Sequence, residues 1–138
     1  MGKHQLHIKE TMNKSKNDLK DQLSEDEYKI IVEKATEKPF TGKYLHNDKN
    51  GIYNCLVCNS ELFSSKTKFD SGSGWPSFYD IINSQNIKLT NDNSHGLDRV
   101  EVTCNICGAH LGHLFEDGPD PTGKRYCINS ASLNFVPK

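Results

Sequence analysis

Two C-x-x-C motifs constrain this chain more than any other feature of its sequence. They are Cys55-Leu-Val-Cys58 and Cys104-Asn-Ile-Cys107, and residues 59–103 separate them. Two intervening residues let both sulfurs of a motif turn inward, so that each motif supplies two corners of a tetrahedron around a metal ion. The spacing therefore predicts one structural Zn²⁺ per chain, held by four thiolates.

Two other uses of these four cysteines compete with zinc. Two disulfides would require an oxidising compartment, whereas the first 25 residues carry neither the apolar core of a secretion signal nor an arginine-rich mitochondrial presequence. A thioredoxin-like redox pair belongs at the start of a helix, and no helix is predicted after either motif. Four thiolates leave no open coordination position, so the zinc is expected to hold the fold and to take no part in chemistry.

The composition limits how the chain can fold and what it can bind. Its 138 residues and net charge of −1 suit one modest domain. A mean hydropathy of −0.71 indicates a small hydrophobic core. Such a core is expected to need additional stabilisation from a bound metal ion. The sequence has no run of about 18 apolar residues that could span a membrane, and no basic block that would indicate binding to nucleic acid. We expect a soluble, cytoplasmic protein.

The N-terminal part of the chain is highly charged and precedes a short helix. Residues 1–20 are expected to form a flexible tail, and residues 21–138 the folded domain. Ser24 and Glu27 have the spacing of a capping box, which predicts that a helix starts there. Pro39 biases the preceding residue away from helical geometry, so the helix is expected to end at about residue 37.

From residue 40 onward, β-branched and aromatic runs alternate with turn-forming clusters. Strands are predicted at about 51–57, 61–63, 86–90, 97–103, 109–115, 124–129 and 132–136. This pattern predicts a mainly β fold in which antiparallel sheets pack on each other and loops carry the function.

The fifth cysteine, Cys127, is left free for chemistry. Strand alternation places Arg125, Cys127 and Asn129 on one face, and Tyr126 and Ile128 on the other. A guanidinium beside the thiol favours the nucleophilic thiolate. The alternative is a small, buried and inert cysteine with a surface arginine as its neighbour.

Two histidines follow the second cysteine motif and are candidate proton donors near neutral pH. Regular alternation would place His110 and His113 on opposite faces of a strand. Both can serve one site only if Gly112 marks a bulge or bend that redirects one of them. The alternative is one solvated histidine and one that is hydrogen-bonded to the backbone.

The single tryptophan, Trp75, lies between a glycine-rich turn and a proline. Such a residue most often belongs to the core. The two glycines before it favour a loop-borne aromatic side chain that walls a small apolar pocket.

Three segments, framed by the two C-x-x-C motifs, together resemble the B-type methionine sulfoxide reductases, which reduce the R epimer of methionine sulfoxide. The segments are FDSGSGWPSF (69–78), HLGHLFEDGPDPTG (110–123) and RYCINSASL (125–133). The resemblance covers nearly all of residues 25–136. It implies a β-tent-like fold of two antiparallel sheets with a short N-terminal helical segment and a structural zinc site, and a role in protein repair during oxidative stress. By the same resemblance, the site residues are Cys127 as nucleophile with Trp75, His110, His113, Asp117, Arg125 and Asn129, and the zinc ligands are Cys55, Cys58, Cys104 and Cys107.

The resemblance also implies a mechanism. Cys127 attacks the sulfoxide sulfur while a histidine protonates the departing oxygen, and the cysteine is left as a sulfenic acid. Trp75 is expected to contact the methyl group of the substrate. Asp117 is expected to orient a neighbouring side chain, and Arg125 and Asn129 to tune the charge of the site.

One position departs from the pattern of many family members, which carry a resolving cysteine where this chain has Ser73. A serine cannot form a disulfide with the oxidised nucleophile. We therefore predict a one-cysteine cycle in which an external thiol, thioredoxin or a small reductant, attacks the sulfenic acid. The expected substrate is methionine-R-sulfoxide exposed in oxidised proteins, and the chain is expected to act as a monomer.

Two other classes of function remain as alternatives. A zinc-stapled binding module could present Trp75 and the 110–123 loop to a partner, with Cys127 merely buried. A zinc-ribbon protein could bind nucleic acid, although the neutral charge and the lack of a basic stripe oppose this interpretation.

Overall fold

A computed structural model describes residues 16–138 of the chain. In this range, two short helices precede nine strands. The helices are α1 (Lys16–Gln22) and α2 (Glu25–Ile31). The strands are β1 (Gly51–Cys55), β2 (Glu61–Ser64), β3 (Lys68–Phe69), β4 (Ser77–Phe78), β5 (Ile87–Asp92), β6 (Arg99–Cys104), β7 (His110–Phe115), β8 (Arg125–Ile128) and β9 (Leu133–Pro137). The predicted mainly β class is confirmed.

The strands form two antiparallel sheets. The small sheet has the order β2-β1-β9, and the large sheet has the order β3-β4-β8-β7-β6-β5. Seven of the nine strands coincide with predicted ones. The two that the sequence did not predict, β3 and β4, have two residues each, which is too short for an alternating pattern to be visible.

An aromatic cluster fills the space between the two sheets. Tyr53 on β1 and Phe63 on β2 have no exposed surface. Phe63 stacks on Phe78 of β4 with the ring centroids 4.5 Å apart, and Tyr53 meets the same ring edge-on at 5.1 Å. Tyr126 on β8 completes the cluster, 5.8 Å from Phe63. Burial of these rings is the main apolar contribution that holds the sheets together.

The helical segment begins as the sequence predicts and ends earlier. The capping box at Ser24 is present, since Glu27 donates its N–H to the Ser24 hydroxyl oxygen at 3.1 Å and its carboxylate accepts the Ser24 N–H at 2.9 Å. The prediction that the helix continues to about residue 37 is wrong, because α2 ends at Ile31. Lys34 adopts a left-handed conformation (φ 62°) that helical residues cannot take. The helical conformation therefore ends well before Pro39.

Residues 1–15, most of the predicted tail, lie outside the described residues. The rest of that segment, from residue 16, belongs to α1, which the sequence did not predict. Neither α1 nor α2 has the length or the apolar character needed to cross a membrane.

Residues 35–44 follow α2 and run across loops of both sheets. We call this segment the strap. Its Phe40 donates an N–H to the Gly74 carbonyl oxygen at 2.7 Å, just before Trp75. At its far end, Tyr44 donates an N–H to the Ser130 hydroxyl oxygen at 3.2 Å. The strap therefore lies beside both the tryptophan turn and the loop that follows Cys127.

Candidate active site and metal centre

The four paired cysteines converge at one end of the two sheets. Cys55 ends β1 in the small sheet, and Cys104 ends β6 in the large sheet. Each begins a tight turn with the same hydrogen bond: Asn59 donates an N–H to the Cys55 carbonyl at 2.8 Å, and Gly108 does so to the Cys104 carbonyl at 2.8 Å. Both donors have positive φ values, 66° and 81°. Asparagine and glycine tolerate this conformation better than other residues, which explains their place after each motif.

The sulfurs are arranged as a compact tetrad. Cys55 and Cys107 are 3.6 Å apart between sulfurs, Cys58 and Cys104 are 3.5 Å apart, and all four lie within 4.8 Å of one another. Four sulfurs at about 2.3 Å from a central ion would be about 3.8 Å apart. Hydrogen bonding to Cys104 raises the pKa of Cys107 and lowers the pKa of Cys58. The spacing and the sulfur donors fit a metal ion that joins the two sheets.

The fifth cysteine lies in a separate pocket on the large sheet. Cys127 is on β8, between β4 and β7, with Ser77 and His113 as its direct cross-strand neighbours. The Ser73 hydroxyl oxygen is 4.0 Å from its sulfur. The pocket has a volume of about 220 Å³. Its lining residues are Thr36, Ser73, Trp75, Arg99, Gly112, His113, Phe115, Arg125, Cys127 and Asn129.

Burial decides the protonation of Cys127. It raises the pKa of the thiol, while the Ser73 hydroxyl and the Arg125 guanidinium act in the opposite direction without cancelling the effect. Arg125 by itself lowers the pKa of the Cys127 thiol, as expected from the sequence. The net shift of this pKa is nevertheless upward, because burial has the larger effect. At neutral pH the group rests as the thiol, because an unperturbed cysteine already has a pKa of about 8.5.

Arg125 is held in place by two neighbours. Asp117 accepts two hydrogen bonds from its guanidinium, from Nε at 2.8 Å and from Nη2 at 3.2 Å. The guanidinium also lies over the ring of Phe115, 4.4 Å from the centroid. Asp117 thus orients a neighbouring side chain and does not line the pocket itself.

The two histidines are brought to the same side of β7 by a bulge. The pairing of β6 with β7 shifts between Val102, which faces Gly112, and Thr103, which faces His110. Their rings lie 5.6 Å apart as a result. Gly112 packs so tightly on the Cys127 carbonyl that there is no space for a β-carbon. Glycine therefore allows β7 to approach the strand of Cys127 this closely.

Each histidine has its own carboxylate partner. His110 Nδ1 is 2.7 Å from a Glu101 oxygen, and His113 Nε2 is 2.8 Å from an Asp92 oxygen. His110 is 2% exposed, burial lowers its pKa, and its Nε2 has no hydrogen-bond partner among the described residues. Hydrogen bonds from Ser94 and His113 hold the pKa of Asp92 well below its usual range. His113 lines the pocket and His110 lies behind it.

The strap connects the remaining site residues through Glu37. The Trp75 indole donates to the Glu37 carbonyl oxygen at 2.9 Å, and the Glu37 N–H donates to the Asn129 side-chain oxygen at 3.0 Å. Asn129 also donates to the Leu111 carbonyl at 3.1 Å, and it is 3% exposed. Asn129 therefore links its own segment of backbone with two others, and its expected role in tuning the charge of the site stays a prediction.

Among the residues near the site that were not predicted from the sequence, four are charged: Glu37, Asp92, Arg99 and Glu101. Arg99 lines the pocket, with its guanidinium 3.8 Å from Asp92. Glu101 is 5% exposed and also pairs with Lys34 at 3.2 Å. Charged residues that alternate inside an otherwise apolar strand, as in Arg99-Val-Glu101-Val, were the available signal. A half-buried thiol, an aromatic wall and a histidine beside a carboxylate can together support attack by sulfur and transfer of a proton.

Comparison with known proteins identifies relatives over most of the chain. The SelR domain family matches residues 23–137. The peptide methionine sulfoxide reductase MsrB of Methanosarcina mazei is 55% identical over 91% of this chain and 89% of its own length. The Escherichia coli K12 protein of the same name is 53% identical over 88% of this chain and 89% of its own. The mouse mitochondrial methionine-R-sulfoxide reductase B3 is 57% identical over 89% of this chain and 49% of its own length.

A solved structure shares the fold at low sequence identity. The Mis18 "Yippee-like" domain superposes with a TM-score of 0.51 and 18% identity, over 64% of this chain and 96% of that one. This likeness concerns the fold alone.

The first prediction concerns the reactivity of Cys127. Replacing Ser73 by alanine removes a hydroxyl that lowers the thiol pKa, so the pKa rises further and less thiolate is present at any given pH. Alkylation of Cys127 by iodoacetamide at pH 8 should become several-fold slower, and its pH profile should move to higher pH. Peptide mass spectrometry would follow Cys127 apart from the other cysteines. An unchanged or faster rate in the variant would contradict the role given to Ser73.

Proposed function

As a member of the SelR-domain family, the chain reduces methionine-R-sulfoxide to methionine, and we propose that Cys127 is its nucleophile and that an external thiol completes the cycle. The observation that carries this assignment is the position of Cys127. It lies in a pocket with Trp75 on the wall and with His113 directly across the strand pair.

The reaction is a two-electron transfer between two sulfurs. The Cys127 sulfur attacks the sulfoxide sulfur and forms a sulfur–sulfur bond, while the substrate oxygen takes up the thiol proton and a second proton and leaves as water. A water molecule then attacks the Cys127 sulfur, the sulfur–sulfur bond breaks, methionine departs, and Cys127 is left as a sulfenic acid with one proton returned to the site. His113 protonates the oxygen, since it lines the pocket while His110 lies behind it. The thiol proton of Cys127 balances the proton given to the oxygen, which suits a cysteine that burial keeps protonated at rest.

The pocket accounts for the choice of epimer. The Trp75 indole, fixed through its N–H by the Glu37 carbonyl, provides a flat apolar surface for the methyl group of the substrate. The polar side of the pocket, with His113 and Arg125, receives the oxygen. A sulfoxide of the opposite configuration would exchange the methyl group and the oxygen, and would place the oxygen on the indole.

The regeneration step needs a thiol from outside the chain. The sequence has five cysteines, and four belong to the metal tetrad. The Ser73 hydroxyl oxygen lies 4.0 Å from the Cys127 sulfur, and a serine cannot form a disulfide. One external thiol displaces water from the sulfenic acid to form a mixed disulfide, and a second thiol releases Cys127 as thiol. A dithiol reductant such as thioredoxin supplies both.

We assign the metal of the tetrad as one Zn²⁺ per chain, held by Cys55, Cys58, Cys104 and Cys107. Four sulfur donors in a compact tetrad favour zinc over the harder divalent cations. The ion would supply structural stability and no step of the reaction. The catalytic domain corresponds to residues 21–138.

The proposed setting is a reducing one. Thiolate ligands and a free nucleophilic thiol persist in the cytoplasm, where thioredoxin is also present. The substrate is methionine-R-sulfoxide in oxidised proteins, because the pocket is open at the surface. The chain has a complete pocket on its own, which suits a monomer.

The decisive test of the nucleophile uses a simple substrate. Racemic N-acetyl-methionine sulfoxide is incubated with the protein and excess dithiothreitol, and chiral chromatography then follows both epimers. The R epimer alone should disappear, and Cys127→Ser should abolish turnover, since serine cannot accept the oxygen. Turnover that survives in Cys127→Ser would overturn the assignment. An inert protein with an intact fold would favour the binding module.

The one-cysteine cycle is tested by a single turnover without reductant. One equivalent of substrate should leave a sulfenic acid on Cys127 that dimedone traps, and no internal disulfide. In Ser73→Cys, the introduced thiol lies close enough to capture the sulfenic acid, so dimedone labelling should give way to a disulfide with Cys127. A disulfide between Cys127 and a tetrad cysteine in the unaltered protein would show that the cycle is wrong.

The role of zinc is tested by its removal. Elemental analysis should find one zinc per chain, and chelation should lower the midpoint of thermal unfolding by more than about 10 °C, because the ion joins the two sheets. Circular dichroism would record the midpoint before and after zinc is restored. An unchanged midpoint in the metal-free protein would exclude a structural role.

A further inference from the structure

The carboxylate partner of His113 comes from the edge of the large sheet. Asp92 is the last residue of β5, the strand at one end of the sheet order. In the pairing of β5 with β6 it lies opposite Arg99, and His113 belongs to β7, on the other side of β6. The Asp92 side chain therefore reaches across one whole strand to meet the histidine. This contact is made by side chains alone and is separate from the backbone pairing of the sheet.

The two oxygens of Asp92 have different partners. Oδ1 accepts the Ser94 N–H at 3.0 Å, and Oδ2 lies 2.8 Å from Nε2 of His113. Arg99 Nη2 is 3.8 Å from Oδ2, which is too long for a hydrogen bond. The hydrogen bonds from Ser94 and His113 keep the pKa of Asp92 far below its usual value, so the carboxylate is ionised at neutral pH. Because an ionised carboxylate only accepts hydrogen bonds, Nε2 of His113 carries a proton.

The other ring nitrogen of His113, Nδ1, is the one left for the pocket. It has no hydrogen-bond partner among the described residues, and it is not one of the unpartnered polar atoms that are sealed from the surface, as Nε2 of His110 is. The His113 ring lines the pocket directly across the strand pair from Cys127, whereas Asp92 does not line it. A substrate oxygen in the pocket can therefore meet Nδ1, while Nε2 is occupied by Asp92.

The reaction needs a group that gives one proton and takes one back. The departing oxygen requires a second proton besides that of the thiol, and the attack of water on Cys127 returns one proton. A doubly protonated His113 can give the proton on Nδ1 and become the neutral ring with its proton on Nε2, which is the tautomer that Asp92 stabilises. It regains the proton at Nδ1 in the next step. A neutral His113 with its proton on Nδ1 could not act in this way, because it would have to become an imidazolate anion.

We propose that Asp92 is a positioning residue of the reductase reaction, which keeps a proton on Nε2 of His113 so that the second proton is given and taken back through Nδ1. This inference rests on the proposed function and extends it to a residue outside the pocket. Asp92 acts through His113 and has no contact with the substrate. It therefore contributes to the chemical step and leaves substrate binding unchanged.

The unequal partners of the two oxygens make Asp92→Asn a sharp test. The Ser94 N–H retains the amide oxygen at the position of Oδ1, so the amide nitrogen takes the position of Oδ2 and donates to Nε2 of His113. His113 is then held with its proton on Nδ1 and cannot be protonated on Nε2. In Asp92→Ala, water can take the place of the carboxylate and either tautomer can form. The isosteric asparagine should therefore be more damaging than alanine, whereas a merely structural role would give the opposite order.

The rate is measured in a single turnover of N-acetyl-methionine-R-sulfoxide, with substrate in excess and no reductant. Asp92→Ala should slow the formation of N-acetyl-methionine about tenfold and Asp92→Asn about 100-fold, within the range of a lost general acid. The substrate concentration that gives half the maximal rate should stay the same. The matched control is Asp98→Asn, which changes an exposed carboxylate just before β6 and should alter neither quantity. A rate in Asp92→Asn equal to or above that in Asp92→Ala would overturn the proposal.

A second measurement reads the tautomer directly and needs no activity. In protein labelled with ¹⁵N-histidine, NMR at alkaline pH shows which nitrogen of the neutral ring carries the proton, and His113→Gln identifies the signals of His113 among the six histidines. The proton should lie on Nε2 in the unaltered protein and on Nδ1 in Asp92→Asn. A proton on Nδ1 in the unaltered protein would overturn the proposal, even if Asp92→Ala fails to fold. Failure of the unaltered protein to reduce the N-acetyl substrate would instead refute the reductase chemistry itself.

Discussion

The rest of the structure depends on the link between the two sheets at the four-cysteine tetrad. One pair of sulfurs comes from the end of β1 and the turn after it, and the other from the end of β6 and the turn between β6 and β7. A hydrogen bond closes that turn: the Cys104 N–H donates to the Ala109 carbonyl oxygen at 2.9 Å. It therefore sets where β7 begins, and with it the bulge that brings His113 opposite Cys127. A chain with so little apolar content gains both its stability and the register of its active site from the same small cluster.

The candidate site combines an uncharged thiol with ionised neighbours. Burial keeps the Cys127 thiol protonated, whereas Arg125 and Asp117 form an ion pair at its edge and Asp92 holds His113. Burial of the sulfur protects it from chance oxidants, because it raises the pKa of the thiol and the thiolate is the form that reacts with them. The charged groups nearby are already paired before a substrate arrives. Little reorganisation is then needed when a polar sulfur–oxygen bond enters the pocket.

Much of this arrangement was predictable from the sequence where the signal is local. The spacing of the cysteines predicted the tetrad, and the glycine between the histidines predicted a bulge that the structure contains. The missed contacts join residues far apart in the chain. Glu37 meets Asn129 across 92 positions, and Asp92 meets His113 across 21. No periodicity encodes such pairs. The early end of α2 escaped prediction for a similar reason, since a left-handed lysine has no distinctive sequence pattern.

The strap holds the tryptophan and the asparagine through its own main chain. The carbonyl and the N–H of residue 37 make these two bonds, and the N–H of Phe40 makes the third. Every amino acid except proline carries both groups. The exposed side chains of this segment, such as those of Lys38 and Phe40, can consequently be exchanged while these hydrogen bonds and the geometry around the sulfur persist. Related chains can therefore differ at the surface of this one short stretch with no change in how the oxygen is removed.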